Sequence, residues 1–107
     1  MIKHIVMWNV RGASTAEKAA TAAVVKAGFE ALAGRIPGMI TLEVGIDLSR
    51  IDYACDMVLY SEFESQEALA AYAEHPEHLQ LRDDLVGART ARFQVDYECT
   101  PATKAAA

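Results

Sequence analysis

The chain is poor in the residues that mark specialised proteins. It has two cysteines, three prolines and six glycines in 107 residues, and no run of lysine or arginine. Cys55 and Cys99 cannot make a disulfide framework, and with no CxxC or Cys/His pairing they offer no zinc site, so two reduced, inert thiols are expected. Ten basic residues against fifteen acidic ones give a net charge of −5, which argues against a phosphate-reading surface and a nucleic-acid partner. The absence of a glycine-rich phosphate motif argues against Rossmann and P-loop enzymes. No segment approaches the roughly 20 apolar residues of a membrane helix. The apolar run in Met1–Trp8 is too short for a signal peptide, and Arg11 follows it, so a cytoplasmic protein is expected.

What is present is a globular composition, 52% hydrophobic and 23% charged, in a length that suits one domain. Residues 1–99 carry the patterns of a domain, and 100–107 read as a flexible tail. In residues 2–10, His4, Val6, Trp8 and Val10 alternate with Ile5 and Met7, as in a strand buried on both faces. Ser14-Thr15-Ala16-Glu17 is a capping box. The helix it opens carries Ala22, Val25, Phe29, Leu32 and Ile36 as one stripe and stops at Pro37-Gly38. Gly28 within it signals either close packing or mere tolerance. Residues 39–47 alternate as a strand with Ile40, Leu42, Val44 and Ile46 on one face, and 55–63 form a third strand. Ser65 caps a second helix bearing Ala68, Leu69, Tyr72 and Ala73. His75-Pro76 breaks that helix, and Pro76 opens a further segment to about Val86. Arg89–Glu98 is the last strand, with Phe93, Val95 and Tyr97 opposite Arg92, Gln94 and Asp96.

The order βαββαβ with right-handed crossovers predicts an α+β, ferredoxin-like antiparallel sheet in the order 4-1-3-2, helices on one face. The two cysteines are then expected at the same end of the sheet, about two strand spacings or ~10 Å apart, beyond disulfide reach. The face without helices keeps apolar side chains from strands 1, 3 and 4. Such a patch marks an interface, and a two-fold homodimer, sheet against sheet, is the simplest way to cover it.

Several stretches resemble the stress-responsive A/B barrel (Dabb) family of dimeric α/β-barrel proteins. They are Met1-Ile2-Lys3-His4-Ile5-Val6-Met7-Trp8, Ile36-Pro37-Gly38-Met39, Leu42-Glu43-Val44-Gly45, Phe63-Glu64-Ser65 with Ala68-Leu69, Tyr72 and His75-Pro76-Glu77-His78, and Val95-Asp96-Tyr97. The resemblance implies two such sheets closing into a barrel, and it leaves activity open. Plant members include polyketide cyclases that close a poly-β-keto thioester by aldol condensation without a cofactor. By that resemblance Tyr72 and His78 would be catalytic, and His4, Val6, Trp8, Phe29 and Leu59 would line a pocket for a small hydrophobic or carbonyl-containing ligand. Phe29 stands where those cyclases carry a polar aromatic residue, and Trp8 is bulkier than the aliphatic residue usual there.

The residue chemistry suits that role. A histidine removing a proton α to a carbonyl, with a tyrosine hydroxyl holding the oxygen, is sound acid–base design. Bland readings stand beside it: Tyr72 as a core residue with its hydroxyl in water, His75 as a helix cap, His78 bonded to a backbone carbonyl, His4 as a satisfied core histidine. His75-x-x-His78 fits no established metal pattern, so no metal is expected, and the resemblance implies no cofactor. Arg82, Arg89 and Arg92 could bind an anion, but surface pairing with Asp83 or Asp84 is the expected role. Other functions stay open: a non-catalytic binder or structural stress protein, or a cofactor-free monooxygenase or isomerase on the same barrel.

Overall fold

The computed structural model describes residues 1–99; the expected tail at 100–107 lies outside the described residues. Seven elements follow in order: β1 (Ile2–Val10), α1 (Thr15–Glu30), β2 (Met39–Ile46), β3 (Met57–Phe63), α2 (Gln66–Ala73), α3 (Pro76–Asp84) and β4 (Arg89–Glu98). The four strands form one antiparallel sheet in the order β2-β3-β1-β4, the ferredoxin-like arrangement expected. Among the described residues no helix is long and apolar enough to cross a membrane.

The caps form as read, with one difference in detail. Ser14 Oγ accepts the Glu17 N–H at 3.1 Å, while the Glu17 carboxylate takes the Ala13 N–H at 2.8 Å rather than that of Ser14. The apolar stripe of α1 is buried as expected, but the helix ends at Glu30, short of Pro37. Gly34 adopts φ 77°, which an α-helix cannot contain, and Leu32 and Arg35 donate instead to carbonyls three residues back. Leu32 and Ile36 keep their places in the core from this succession of turns. Gly28 is a close approach: a Cβ there would come 2.6 Å from Leu81 Cδ1 on α3.

β2 departs from simple alternation. Its register slips between Met39 and Thr41, so Met39 packs on the core and Ile40 is left exposed; Ile46 at the strand's end is exposed as well. β3 begins at Met57 rather than 55, because the Asp56 carboxylate is used to accept the Val10 N–H at 2.8 Å. The cysteine placement is corrected more sharply. Both β3 and β4 run antiparallel to β1, so the start of β3 and the end of β4 lie at opposite ends of the sheet. Asp56, next to Cys55, bonds the Trp8 carbonyl, whereas Cys99 bonds the Met1 carbonyl. A strand length separates the two thiols, so no disulfide can join them.

Ile2, His4, Val6, Trp8 and Val10 of β1 face the helices, with Met57, Leu59, Ser61 and Phe63 of β3 beside them. The helices make their main contacts with β1, β2 and β3 rather than with β4. The helix-side residues of β4 therefore flank a trough beside α2 and α3, floored by β1. On the other sheet face Met7, Phe93, Val95 and Tyr97 are each 40–56% exposed.

Candidate functional site

The trough holds two adjoining cavities. One, about 420 Å³, is lined by His4, Leu69, Tyr72, His78, Arg92 and Asp96 among others. The next, about 530 Å³, is lined by Trp8, Ala73, His78, Arg82, Arg89 and Arg92. Ala73, His78 and Arg92 border both, so they form one continuous groove.

The break between α2 and α3 builds its centre. His75 takes extended backbone angles ahead of Pro76, and its Nδ1 accepts the Glu77 N–H at 3.1 Å as the N-cap of α3. The chain then turns back so that His78 Nδ1 meets the Ala73 carbonyl at 3.1 Å, one of the carbonyls left over at the end of α2. A carbonyl only accepts, so Nδ1 carries the proton and Nε2 keeps its lone pair. The two bland readings of His75 and His78 are thus correct in geometry, and for His78 the bond also fixes the tautomer a base needs. The same turn lays His78 on Tyr72, ring centroids 4.4 Å apart.

Burial sets the protonation states. The His78 pKa is lowered from its usual value, first by desolvation and then by Arg82, Arg89 and Arg92, against the bond to Ala73, which raises it. Tyr72 is pushed up to about 12 by burial, with Arg89 and Arg92 pulling the other way. Near neutral pH the imidazole is therefore an unprotonated acceptor and the phenol a proton-bearing donor. The Tyr72 hydroxyl is not in water: it is buried with no hydrogen-bond partner among the described residues, as is Trp8 Nε1.

His4 is both buried and at the groove. Its Nδ1 bonds Asp96 Oδ1, opposite it on β4, and Asp96 Oδ2 takes a hydrogen bond from Gln94 at 2.8 Å. Its ring lies edge-on to Tyr72, centroids 6.2 Å apart. Trp8 lines the groove too, stacked on Phe29 at 4.8 Å. Val6, Phe29 and Leu59 belong to the buried core and line neither cavity. Sequence reasoning missed Asp96, whose signal was only its place on the inward face of β4.

It also misplaced the arginines. Among the described residues none of Arg82, Arg89 and Arg92 forms an ion pair, with Asp83, Asp84 or any other acid. Asp84 instead accepts from Gln80 at 2.9 Å. A register shift at Asn9/Val10 pairs Arg89 with Val10 and Arg92 with Trp8, both inward-facing positions. Arg89 and Arg92, three apart, would otherwise fall on opposite faces. The Arg89 guanidinium lies over the Trp8 ring, 5.1 Å from its centroid. No group of three or more His, Cys, Asp or Glu among the described residues could hold a metal ion.

The fold is that of a known class. The chain belongs to the stress responsive A/B barrel domain family, whose family model matches residues 2–99. A dimeric ferredoxin-like protein of unknown function from Bacteroides fragilis is similar over 92% of this chain and 95% of its own, with 32% identity and a TM-score of 0.80. A dimeric ferredoxin-like protein from Thermobifida fusca shares 19% identity over 92% of this chain and 90% of its own, TM-score 0.77. The hydroxynitrile lyase of Passiflora edulis shares 16% identity over 96% of each chain, TM-score 0.77. The last two likenesses are of fold alone. No curated protein matches the sequence.

Proposed function

We propose that the groove performs cofactor-free acid–base chemistry on a small carbonyl compound. His78 Nε2 removes the proton α to the carbonyl, and the C–H electron pair becomes the enolate. The Tyr72 O–H donates to the oxygen as its charge develops, and the imidazolium returns its proton to carbon or to the product. The observation that carries this reading is the ring contact between His78, poised as an acceptor, and Tyr72, whose buried hydroxyl has no hydrogen-bond partner among the described residues, both at one cavity. A buried hydroxyl without a partner costs about 1–3 kcal/mol, a cost that a substrate oxygen would remove. His4, held by Asp96, closes the other side of Tyr72 and fixes the groove wall.

The proposal includes a homodimer formed through Met7, Phe93, Val95 and Tyr97, the open sheet face, which leaves the groove on the outer side. The dimeric relatives of the same fold support it.

The test is α-proton exchange in D₂O, followed by proton NMR, on phenyl ketones with and without a terminal carboxylate. Exchange above the buffer rate is expected. His78→Ala and Tyr72→Phe should each reduce it by ~10²-fold. Exchange no faster than buffer for every ketone, or unchanged in both variants, removes the reading. Ketone binding that persists without exchange would instead make the protein a non-catalytic binder.

A further inference from the structure

Three of the ten basic residues of an acidic chain converge on one groove. Arg82 comes from α3, and Arg89 and Arg92 from β4, brought to one face by the register shift. Among the described residues no acidic side chain lines the cavity they share with Trp8 and His78. The nearest carboxylate in the adjoining cavity, Asp96, is already engaged by His4 and Gln94. Arg89 is half-buried and held by stacking on Trp8 and Phe29, so its guanidinium is placed before any ligand arrives. Burial and the neighbouring charges of Arg92 and Arg82 lower its pKa, the mark of like charges gathered without a counter-ion. Trp8, whose buried Nε1 has no hydrogen-bond partner among the described residues, forms part of the same wall.

We propose that this arginine groove binds a carboxylate of the substrate, so that the ligand is a keto acid whose carbonyl reaches Tyr72 and His78. The inference rests on the acid–base reading for the carbonyl end, but the anion site stands on its own residues. Guanidinium groups take carboxylates in paired, charge-assisted hydrogen bonds, and a fork already fixed loses little freedom on binding. The shared border at Ala73, His78 and Arg92 lets one molecule occupy both cavities, with the carboxylate as anchor and the reacting carbon beside His78.

The experiment is calorimetric titration of the full chain with 4-oxo-4-phenylbutanoate, its neutral methyl ester and inorganic phosphate. The acid should bind at least about tenfold more tightly than the ester, a factor that one charge-assisted contact supplies. Arg92→Gln and Arg82→Gln, both at exposed positions, should shrink that preference, the acid losing more affinity than the ester. Equal affinity for acid and ester, a preference that survives in the double variant, or no acid binding at millimolar concentration would overturn the proposal. Inorganic phosphate displacing the acid at concentrations below the acid's own Kd would overturn the carboxylate assignment. Tyr72→Phe separates the two readings. It should cut exchange by ~10²-fold but keep the acid-over-ester preference, so a preference without exchange in the wild type sinks the catalytic reading alone.

Discussion

The rings of His78 and Tyr72 lie 4.4 Å apart, with planes inclined by 48°, although the residues stand six positions apart in the chain with a proline break between them. In an unbroken helix, positions six apart point to different sides. The break at His75-Pro76 is what brings them together, and it does so against opposite electrostatic demands: burial favours the neutral form of each, which for one is the base and for the other the acid.

Tyr72→Phe separates stability from activity. The hydroxyl is buried without a protein hydrogen bond, so removing it deletes a desolvated polar group and leaves the ring packing on Phe63, centroids 5.2 Å apart. The variant should be as stable as the wild type or more stable by up to about 1 kcal/mol in urea denaturation, while exchange falls by ~10²-fold. A variant that is clearly less stable would mean the hydroxyl has a structural partner in solution.

The pH dependence follows from His78. Its pKa is lowered from 6.5 by burial, so below pH 6.5 the unfolded chain binds a proton that the folded one resists. Stability attributable to His78 is therefore complete above pH 6.5 and lost as pH falls through the lower folded value. The exchange rate should follow the same limb, rising to a plateau before neutrality. Tyr72, at about 12, produces a fall only in strong alkali. Imidazole titration by NMR gives the midpoint directly, and a midpoint above 6.5 would contradict this account. His78→Gln should flatten the acid limb of the stability curve.

The sheet order, both helix caps on serine and the inward set of β1 were readable because they rest on local signals: period-two alternation, a hydroxyl three residues before a helical N–H, a proline after an extended residue. The groove was only half readable. Tyr72 and His78 came from family resemblance, since nothing in a spacing of six predicts contact. Asp96 finds His4 only through the β1–β4 register, and Arg89 reaches the groove only because that register slips at Val10. A slip of one residue reverses which side chains face inward, and no local pattern reports it. The same blindness put Ile40 in the core in place of Met39; the cysteines were placed at one end of the sheet for a different reason, the direction in which β3 and β4 run.

His75 should prove to be a cap that positions His78. Its Nδ1 accepts the Glu77 N–H at the first turn of α3. His75→Ala should cost roughly 0.5–2 kcal/mol, as loss of other N-caps does, and His75→Ser should restore most of it. Exchange should drop in the alanine variant and recover in the serine variant, because α3 carries His78. If added zinc stabilises the wild type but not His75→Ser, the residue is a metal ligand rather than a cap.

The open sheet face sets the last expectation. Phe93 lies opposite Met7 and Val95 opposite Ile5, which makes an apolar strip along β1 and β4 that the helices of the same chain cannot reach. In a sheet-to-sheet dimer Val95 is desolvated, so Val95→Glu would bury an unpaired carboxylate at the contact, costing several kcal/mol. Sedimentation should give the wild type twice the 11.6 kDa chain mass at micromolar concentration and Val95→Glu the mass of one chain. A wild type that sediments as a monomer would remove the dimer. The groove is on the other side of β4, formed by Arg92 and Asp96 rather than Phe93 and Val95. A folded Val95→Glu monomer should accordingly keep the preference for a keto acid and its proton exchange. If both vanish with the dimer, the groove depends on the partner chain for its shape.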